Sequence, residues 1–419
     1  MFSRKKGGIY MKLKKVVSLL TAAMLSTTLL AGCSSTEDAD SGGKTTLRFA
    51  TWDNEENLKL QEDLVKKFNE QHDDIDVVLE AYGSEFDTKL SAGIGAGDTP
   101  DLMYMWNYPL YSGALEPLDS YIEKEGKDYK NSFFETLWNY NSYEENTYGI
   151  PVGYTTHVVY YNKDIFDAAG VEYPSSDWTW KEFEETAKKL TNKEKKTYGF
   201  GFSSKPDPYD FEMMLWNNGA SYLGDNEELK GNVNSKESIE VYQAYQNMAK
   251  DGIALPTEGS GTTEMKSGSV AMYIYGSWSL SDFQEQGMNF GTTVIPTFKE
   301  GNKAPSVVSS SGVSMSRDCK NKEAAWEFIK YWTSEEANKA RIEYELPVIK
   351  SVAESEKLLE NKVYSPFYTM LEQSKEYTPS SFKVKNWTEI SEELSTVQEG
   401  IFNPTTLRDP KESVDSIAK

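Results

Sequence analysis

The sequence predicts an α/β fold with two lobes, and two observations lead to this prediction. Strand and helix patterns alternate in the first part of the chain, in the order strand, helix, strand, helix, strand. That order is typical of a doubly wound α/β sheet. The second observation is the segment 148–171, which has more than a hundred residues on each side and is predicted to cross between lobes. On composition alone, an internal strand of one large domain also fits this segment.

The alternation in the first part of the chain is read from apolar periodicity. A period of two residues predicts a strand, and apolar residues three or four positions apart predict a helix. The predicted strands are residues 45–52, 75–79 and 102–106. The predicted helices are one containing Leu60, Leu64 and Phe68 and one over residues 87–96.

Aromatic and polar side chains coincide at the ends of two predicted strands. Trp52 and Asp53 follow the first strand, and Trp106 and Asn107 follow the third. In a doubly wound sheet, ligands bind beyond the carboxyl ends of the strands. We therefore expect these residues near a ligand, although polar residues at strand ends also cap neighbouring helices.

The predicted crossing segment has a buried strand at its centre. Residues 158–161 form an unbroken run of β-branched and aromatic side chains, which is typical of a strand covered on both faces. Gly149, Pro151 and Gly153 precede this run, and the chain is expected to change direction there. Asn162 is predicted to cap a short helix that ends at Gly170.

Later segments predict further α/β structure and a second crossing. Thr179 and Glu182 have the spacing of a capping box, and Trp180 belongs to the apolar face of the helix that follows. Residues 267–278 predict a strand that breaks at Gly276 and leaves Trp278 exposed at a corner. Residues 290–298 predict a second crossing strand.

Charge and composition exclude several classes of function. The chain has 44 basic and 66 acidic residues among 419, which gives a net charge of −22. A nucleic-acid partner requires a basic surface, so we expect none. Only Cys33 and Cys319 and only two histidines are present, and the histidines have no metal-ligand spacing. We expect no disulfide, no metal and no cofactor, and we expect Cys319 to be a buried thiol.

The N-terminus has the pattern of an export signal. Residues 1–32 contain basic residues but no acid, and an apolar segment follows the basic start. Residues 30–33, Leu-Ala-Gly-Cys, resemble the bacterial lipobox, in which the cysteine becomes the acylated N-terminus. We predict a signal peptide over residues 1–32 and a lipidated flexible tether over residues 33–44. A membrane-anchor helix with a chance cysteine is the alternative, and Met11 is an alternative start.

Several segments together resemble the bacterial extracellular solute-binding proteins of carbohydrate ABC transporters, which are related to maltose-binding protein. No single segment is decisive, but their order and spacing are specific and cover nearly the whole mature chain. The segments are residues 97–101, 148–151, 160–166, 179–183, 271–272, 276–278, 323–328 and 346–348.

The resemblance implies the periplasmic-binding-protein fold, with a hinge and a ligand cleft between two α/β lobes. Crossings near residues 152–158 and 292–297 would make both lobes discontinuous. Lobe one is expected over residues 45–155 and 296–335, and lobe two over residues 156–295 and 336–419.

The function implied is that of a non-catalytic receptor that delivers a sugar, expected to be an oligosaccharide, to the permease subunits of an ABC transporter. The protein is expected to be a monomer on the outer face of the cell membrane, of Gram-positive type. Its contact with the membrane is expected through the lipid on Cys33 alone.

Sugar chemistry selects the candidate ligand residues. Hydroxyl groups suit Asp, Glu and Asn side chains, and the C–H faces of sugar rings suit aromatic faces. Trp278 matches the aromatic residue of the family and is expected to be the main stacking platform. The other candidates are Trp52, Asp53, Glu55, Trp106, Asn107, Tyr154 and Trp387.

Three alternatives remain open from the sequence. A surface glycosidase also uses aromatic residues and paired carboxylates, but nothing places two acids at catalytic spacing. A surface lectin would bind sugar without lobe closure. The same scaffold also hosts non-sugar solutes such as peptides or polyamines.

Overall fold

A computed structural model describes residues 44–419, apart from the side chains of Glu55 and Glu56. The predicted signal peptide, the lipidation site Cys33 and all of the predicted tether except Lys44 lie outside the described residues. From residue 44 onward, no helix has the length and apolar character needed to cross a membrane.

The strands share short lengths and largely buried side chains. They are β1 (Thr45–Thr51), β2 (Ile75–Ala81), β3 (Leu102–Met105), β4 (Ser142–Tyr143), β5 (Asn146–Thr147), β6 (Ile150–Thr156), β7 (Val158–Asn162), β8 (Phe200–Ser203), β9 (Ala254–Thr257), β10 (Met272–Tyr275), β11 (Phe290–Thr293) and β12 (Val308–Met315).

The helices range from single turns to more than four turns. They are α1 (Glu55–Gln71), α2 (Phe86–Ala96), α3 (Tyr108–Tyr111), α4 (Asp119–Glu125), α5 (Lys127–Ser132), α6 (Thr136–Tyr140), α7 (Lys163–Ala169), α8 (Trp180–Leu190), α9 (Pro208–Asn217), α10 (Lys236–Lys250), α11 (Thr262–Lys266), α12 (Leu280–Glu285), α13 (Lys322–Trp332), α14 (Glu335–Ala340), α15 (Lys350–Ser355), α16 (Ser365–Gln373), α17 (Trp387–Phe402) and α18 (Pro410–Asp415).

Two mixed sheets organise the described part of the chain. The first sheet has the order β2-β1-β3-β12-β6, in which β1 is parallel to β2 and β3, and β12 is antiparallel to β3 and β6. The second has the order β11-β7-β10-β8-β9, in which β7 is antiparallel to β11 and β10, and β8 is parallel to β10 and β9. The predicted α/β class is confirmed.

The chain passes between the two sheets at two places. β6 belongs to the first sheet and β7 to the second, and His157 alone separates them. This passage lies within the predicted crossing 152–158. The return passage runs from β11 to β12 through residues 294–307, and it begins inside the predicted crossing 292–297.

Local sequence patterns account for the elements around the first passage. Every residue of β7 is buried, as the apolar run predicted. The side chain of Asn162 accepts hydrogen bonds from the first turn of α7, and the helix ends at Gly170 in a left-handed conformation. The capping box of Thr179 and Glu182 begins α8, and Trp180 is buried. These predictions are confirmed.

One predicted strand is shorter than the sequence pattern indicated. We predicted a strand over residues 267–278, but β10 covers only Met272–Tyr275. Gly268 has a φ of +73°, a left-handed conformation that closes the turn after α11 and is incompatible with a strand. Strand geometry therefore begins only beyond this turn.

The segment after α13 packs against elements that surround the first sheet. The backbone nitrogen of Phe134 donates to the carbonyl of Val348 at 3.1 Å, and Phe133 and Ile349 form a β-bridge. Lys67 and Glu336 form an ion pair. These contacts favour a lobe-two boundary later than residue 336, and the proposed lobe boundaries stay a prediction. Cys319 is buried, as predicted.

Candidate ligand-binding cleft

A cavity of about 720 Å³, hereafter the cleft, lies between segments that leave the two sheets. The side from the first sheet, here the first wall, carries residues 52–53 after β1, residues 106–107 after β3, and Glu345. The side from the second sheet, here the second wall, carries residues 207–210 at the start of α9, Trp278 after β10, and Trp387. The carboxyl ends of β1 and β3 thus face the cleft, as expected for a doubly wound sheet.

Seven of the eight predicted ligand residues line this one cavity. They are Trp52, Asp53, Trp106, Asn107, Tyr154, Trp278 and Trp387. The eighth, Glu55, is the first residue of α1, and its side chain lies outside the described atoms. The structure therefore brings these seven together, and their role in binding stays a prediction.

Asp53 is held in place by hydrogen bonds from α1 and β1. Its carboxylate accepts from the side-chain amides of Asn57, at 3.4 Å, and of Gln61, and from the hydroxyl of Thr51 at 3.3 Å. Desolvation raises the pKa of Asp53, while these hydrogen bonds and the charge of Arg341 oppose the rise. The carboxylate is therefore fixed before any ligand arrives.

Trp106 and Asn107 have different positions at the end of β3. Trp106 is 49% exposed, which is unusual for so large an apolar side chain. The Oδ1 atom of Asn107 accepts from the backbone nitrogen of Leu110 at 3.3 Å and caps α3. This cap leaves the Nδ2 group of Asn107 as the donor that it can offer a ligand.

Trp278 is the most exposed aromatic side chain of the second wall, at 51%. Its ring meets Tyr275 and His157 edge to face, with centroid distances of 5.1 and 5.7 Å. A Cβ atom at Gly276 would lie 2.7 Å from the Trp278 ring, so the absence of a side chain there permits this placement. The exposure predicted for Trp278 is confirmed.

The remaining predicted aromatic residues are more deeply placed. Trp52 is half-buried against Phe86 and Tyr104, at centroid distances of 5.2 and 5.0 Å. Trp387 is half-buried at the start of α17. Tyr154 on β6 is only 5% exposed. Of the predicted aromatic residues, Trp106 and Trp278 are thus the two most open to a ligand, one on each wall.

Acidic residues that the sequence reasoning missed also line the cleft. Asp207 caps α9 by accepting from the backbone nitrogen of Tyr209 at 2.8 Å, and Asp210 follows in the first turn. Desolvation and then the neighbouring Asp210 raise the pKa of Asp207. The Asp-Pro sequence at 207–208 is a helix-start signal, but it indicates a cap and carries no information about a cleft.

His157 lies behind the second wall, at the passage between the sheets. It is 2% exposed, and neither ring nitrogen has a hydrogen-bond partner among the described residues. Its Nε2 atom is 3.6 Å from Oδ1 of Asp210, beyond hydrogen-bond distance. A second cavity of about 330 Å³ contacts His157 and shares Asp207 and Asp210 with the cleft.

Glu345 is the other acid that the sequence reasoning missed. It lines the first wall, and a Cβ atom at Gly153 of β6 would lie 2.7 Å from its Cδ atom. The buried Arg341 lies behind it, with Nε 3.2 Å from Oε2 of Glu345. No local pattern in the sequence brings Gly153, Arg341 and Glu345 together.

The cleft is acidic as a whole. Its lining includes five carboxylates, and Lys385 is its one basic side chain among the described residues. The carboxylates are Asp53, Asp207, Asp210, Glu345 and Glu392. Within residues 44–419, no group of three or more His, Cys, Asp or Glu side chains is arranged to hold a metal ion. The chemistry available is hydrogen bonding, by carboxylate acceptors and by donors such as the Asn107 amide, together with aromatic stacking.

Known proteins share this sequence and architecture. A binding protein of Brucella abortus is 27% identical over 79% of this chain and 82% of its own length. The galactooligosaccharide-binding protein of Bacillus subtilis is 25% identical over 98% of this chain and 97% of its own. An ABC substrate-binding protein of Listeria monocytogenes, solved with cycloalternan, is 26% identical with a TM-score of 0.76, covering 90% of this chain and 97% of that one. The profile of the bacterial extracellular solute-binding proteins matches residues 63–364, and the chain therefore belongs to this family.

Proposed function

We propose that this protein binds a neutral oligosaccharide in the cleft and delivers it to the permease of an ABC transporter. The observation that carries the proposal is the pair of exposed indole faces, Trp106 on the first wall and Trp278 on the second, with carboxylates beside both. The binding of oligosaccharides by the relatives from Bacillus subtilis and Listeria monocytogenes supports it.

The chemistry of the walls suits a sugar. The C–H face of a sugar ring is weakly positive and packs on the negative face of an indole, as Trp106 and Trp278 offer. Sugar hydroxyls donate hydrogen bonds to carboxylates such as Asp53 and accept them from amides such as Asn107. Glu55 is proposed to add a further acceptor beside Asp53.

The charge of the cleft disfavours an anionic solute. Five carboxylates face the cavity against the single Lys385, and the guanidinium of Arg341 is shielded by Glu345. Phosphate and carboxylate groups are usually bound by arginine side chains or by helix N-termini with free N–H groups, whereas the N-termini of α3 and α9 at the cleft are capped by Asn107 and Asp207. A neutral ligand is not repelled by the carboxylates of the cleft, whereas an anionic solute is.

The size of the cavity favours more than one sugar ring. Its volume of about 720 Å³ is well above the ~300 Å³ at the lower end of small-molecule sites. Platforms on both walls also require a ligand wide enough to reach both. A ligand that contacts both walls binds the closed arrangement more tightly than the open one and shifts the population toward closure. Hinge closure around the ligand is the established motion of periplasmic binding proteins.

The receptor is proposed to act at the outer face of the cell membrane. The family is extracellular, so the protein acts outside the cytoplasm. Residues 1–32 are proposed to be removed on export and Cys33 to carry the lipid anchor on the outer face of a Gram-positive cell membrane. Two acyl chains hold a protein stably where one does not. The receptor is a monomer, and tethering raises its effective concentration at the permease.

The protein is proposed to be a receptor without catalytic activity. A glycosidase would place two carboxyl groups on either side of the scissile bond, about 5–10 Å apart. Asp53 and Glu345 lie on the same wall, so these two carboxyl groups do not stand on opposite sides of a ligand in the cleft. Incubation with the bound oligosaccharide should leave it intact by chromatography, and released product would contradict this assignment.

The main test is titration of the purified mature protein with mono- and oligosaccharides, followed by tryptophan fluorescence and calorimetry. Trp278→Ala should weaken oligosaccharide binding about 30-fold, since central Trp residues of binding sites contribute about 2 kcal/mol or more. Tyr173→Ala is the matched control, because Tyr173 is 44% exposed and lies away from the cleft. Binding of peptides, polyamines or anions with no response to any saccharide would contradict the proposal.

A further inference from the structure

A buried cation lies directly behind the first wall. Arg341 is 3% exposed, and its guanidinium lies over the Trp332 ring at 5.2 Å. Its Nη2 atom donates to the carbonyl oxygen of Trp332 at 2.9 Å. An arginine side chain keeps its proton at all physiological pH values, so this buried charge requires a partner of opposite sign. The nearest carboxylate is Glu345, at 3.2 Å from Nε.

Glu345 is accessible to the cleft on its other side. Its backbone nitrogen donates to the carbonyl of Arg341 at 2.8 Å, which fixes the turn that follows α14. Its side chain covers Gly153 of the crossing strand β6, where a Cβ atom would lie 2.7 Å from its Cδ atom. The side chain is 22% exposed, and the residue lines the cavity. A ligand and Arg341 can therefore contact the same carboxylate from opposite sides.

The charged and titratable groups around Glu345 shift its pKa in opposite directions. Arg341 faces it from its own turn, Asp53 from the segment after β1, and the phenol of Tyr104 from β3. Burial raises the pKa of Glu345 to about 7, Asp53 raises it further, and Arg341 lowers it. The neutral acid is therefore populated near neutral pH in the ligand-free protein.

We propose that Glu345 is a ligand-contacting carboxylate of the cleft, and that oligosaccharide binding releases its proton to the solvent. A sugar hydroxyl that donates to this side chain forms a stronger hydrogen bond with the ionised form than with the neutral acid. Water leaves the cleft as the ligand enters; this loss of solvation favours the neutral acid, but it also strengthens the attraction between Arg341 and the ionised Glu345. In this proposal, the hydroxyl hydrogen bond and the attraction to Arg341 together outweigh the loss of solvation, so that the ionised form prevails in the complex. The inference rests on the proposed function.

Calorimetry of the wild-type protein in two buffers of different ionisation enthalpy measures the proton directly. At pH 7, we expect about 0.5 proton released per oligosaccharide bound, because a group with a pKa of about 7 is half protonated there. The affinity should rise up to about tenfold between pH 6 and pH 8. No exchange of protons, or proton uptake, would overturn the inference.

The variant Glu345→Gln assigns the proton to this residue. It should bind more weakly than wild type at pH 8 and show a flat affinity profile from pH 6 to pH 8. Glu343→Gln is the control, since Glu343 is an exposed acid of the same turn that does not line the cleft, and it should keep the wild-type profile. A wild-type profile in Glu345→Gln would overturn the inference.

Two further outcomes separate this inference from the proposed function. If Glu345→Gln does not fold, the absence of proton release from the wild-type protein still overturns the inference, because that measurement needs no variant. Oligosaccharide binding without proton release overturns the role of Glu345 and leaves the proposed function standing. If no saccharide binds at all, both are overturned.

Discussion

The two walls of the cleft handle negative charge in different ways. On the first wall, Asp53 accepts hydrogen bonds from α1, and Glu345 is paired with the buried Arg341. On the second wall, Asp207 and Asp210 have no arginine or lysine within ion-pair distance among the described residues, and only His157 approaches, at 3.6 Å. The first wall is thus a fixed, compensated surface, while the charges of the second remain available to a ligand.

This difference shows that acidity alone does not define a sugar site. A buried carboxylate that is paired with a cation destabilises the fold when its partner is removed. Half-exposed carboxylates such as Asp207 and Asp210 are stabilised mainly by water, so changing them affects the fold little. Changes in the first wall should therefore alter the folding of the protein, and changes in the second wall should have small effects on folding. Three predictions test this contrast.

The largest effect is expected from Arg341→Met. This change removes the cation and keeps most of the apolar volume over Trp332, so Glu345 is left buried without its partner. Removing one member of a buried pair costs about 3 kcal/mol, and we expect that loss in the free energy of unfolding at pH 8. At pH 6 the loss should be smaller, because Glu345 is then mostly neutral.

Urea unfolding at both pH values measures this loss. Arg317→Met serves as the control, since Arg317 is an exposed arginine that does not line the cleft, and it should change stability by no more than about 0.5 kcal/mol. Equal effects of the two substitutions would show that the first wall does not depend on its buried cation.

An intermediate effect is expected from pH alone in the ligand-free protein. The pKa of Glu345 is raised in the folded state to about 7, so the folded protein holds this proton more tightly than the unfolded chain. The resulting stability is fully present below the unfolded pKa of about 4.5 and is lost as the pH rises through 7. Between pH 6 and pH 8, wild type should lose about 1 kcal/mol relative to Glu345→Gln.

Thermal and urea unfolding of both proteins across this range provide the check. The comparison with Glu345→Gln subtracts all other titrating groups, because they are common to the two proteins. If the stability difference between the two proteins stays constant from pH 6 to pH 8, Glu345 does not titrate in this range.

The smallest effect is expected on the second wall, from Asp207→Asn. Asparagine caps a helix as well as aspartate does, and it removes the repulsion between Asp207 and Asp210. We expect a change in unfolding free energy of less than about 0.5 kcal/mol. Asp207→Ala deletes the cap of α9 and should cost about 1 kcal/mol, which makes it the matched comparison. If Asp207→Asn lowered the free energy of unfolding by more than about 2 kcal/mol, the second wall would matter for folding as the first does, contrary to the prediction.

Much of the fold could be predicted because its determinants are local. The cap by Asn162, the capping box of α8 and the buried run in β7 each depend on a few adjacent residues. The exposure of Trp278 could be predicted for the same reason, because an apolar strand breaks at Gly276 just before it. The length of β10 was predicted wrongly because it depends on the left-handed conformation of Gly268, which a run of apolar residues does not reveal.

The candidate cleft could be predicted only in part. Strand ends are local features, and they led to Trp52, Asp53, Trp106 and Asn107. Glu345 depends on a contact with Gly153, which lies far earlier in the chain, and on a buried arginine whose burial no local pattern indicates. In the sequence, Gly153 predicted a change of direction, whereas in the structure it lies inside β6 and makes room for a carboxylate.

The contact between Gly153 and Glu345 also affects how this receptor can diverge. A methyl group at position 153 would occupy the space of the Glu345 carboxylate, 2.7 Å from its Cδ atom. A side chain at position 153 therefore requires the Glu345 side chain to move away or a shorter residue to stand at 345 first, whereas position 345 can change while Gly153 stays. Selection for a new solute that enlarges position 153 would thus follow a change at 345, through intermediates that keep Arg341 neutralised. Position 153 is expected to evolve more slowly than the exposed tryptophans of the cleft.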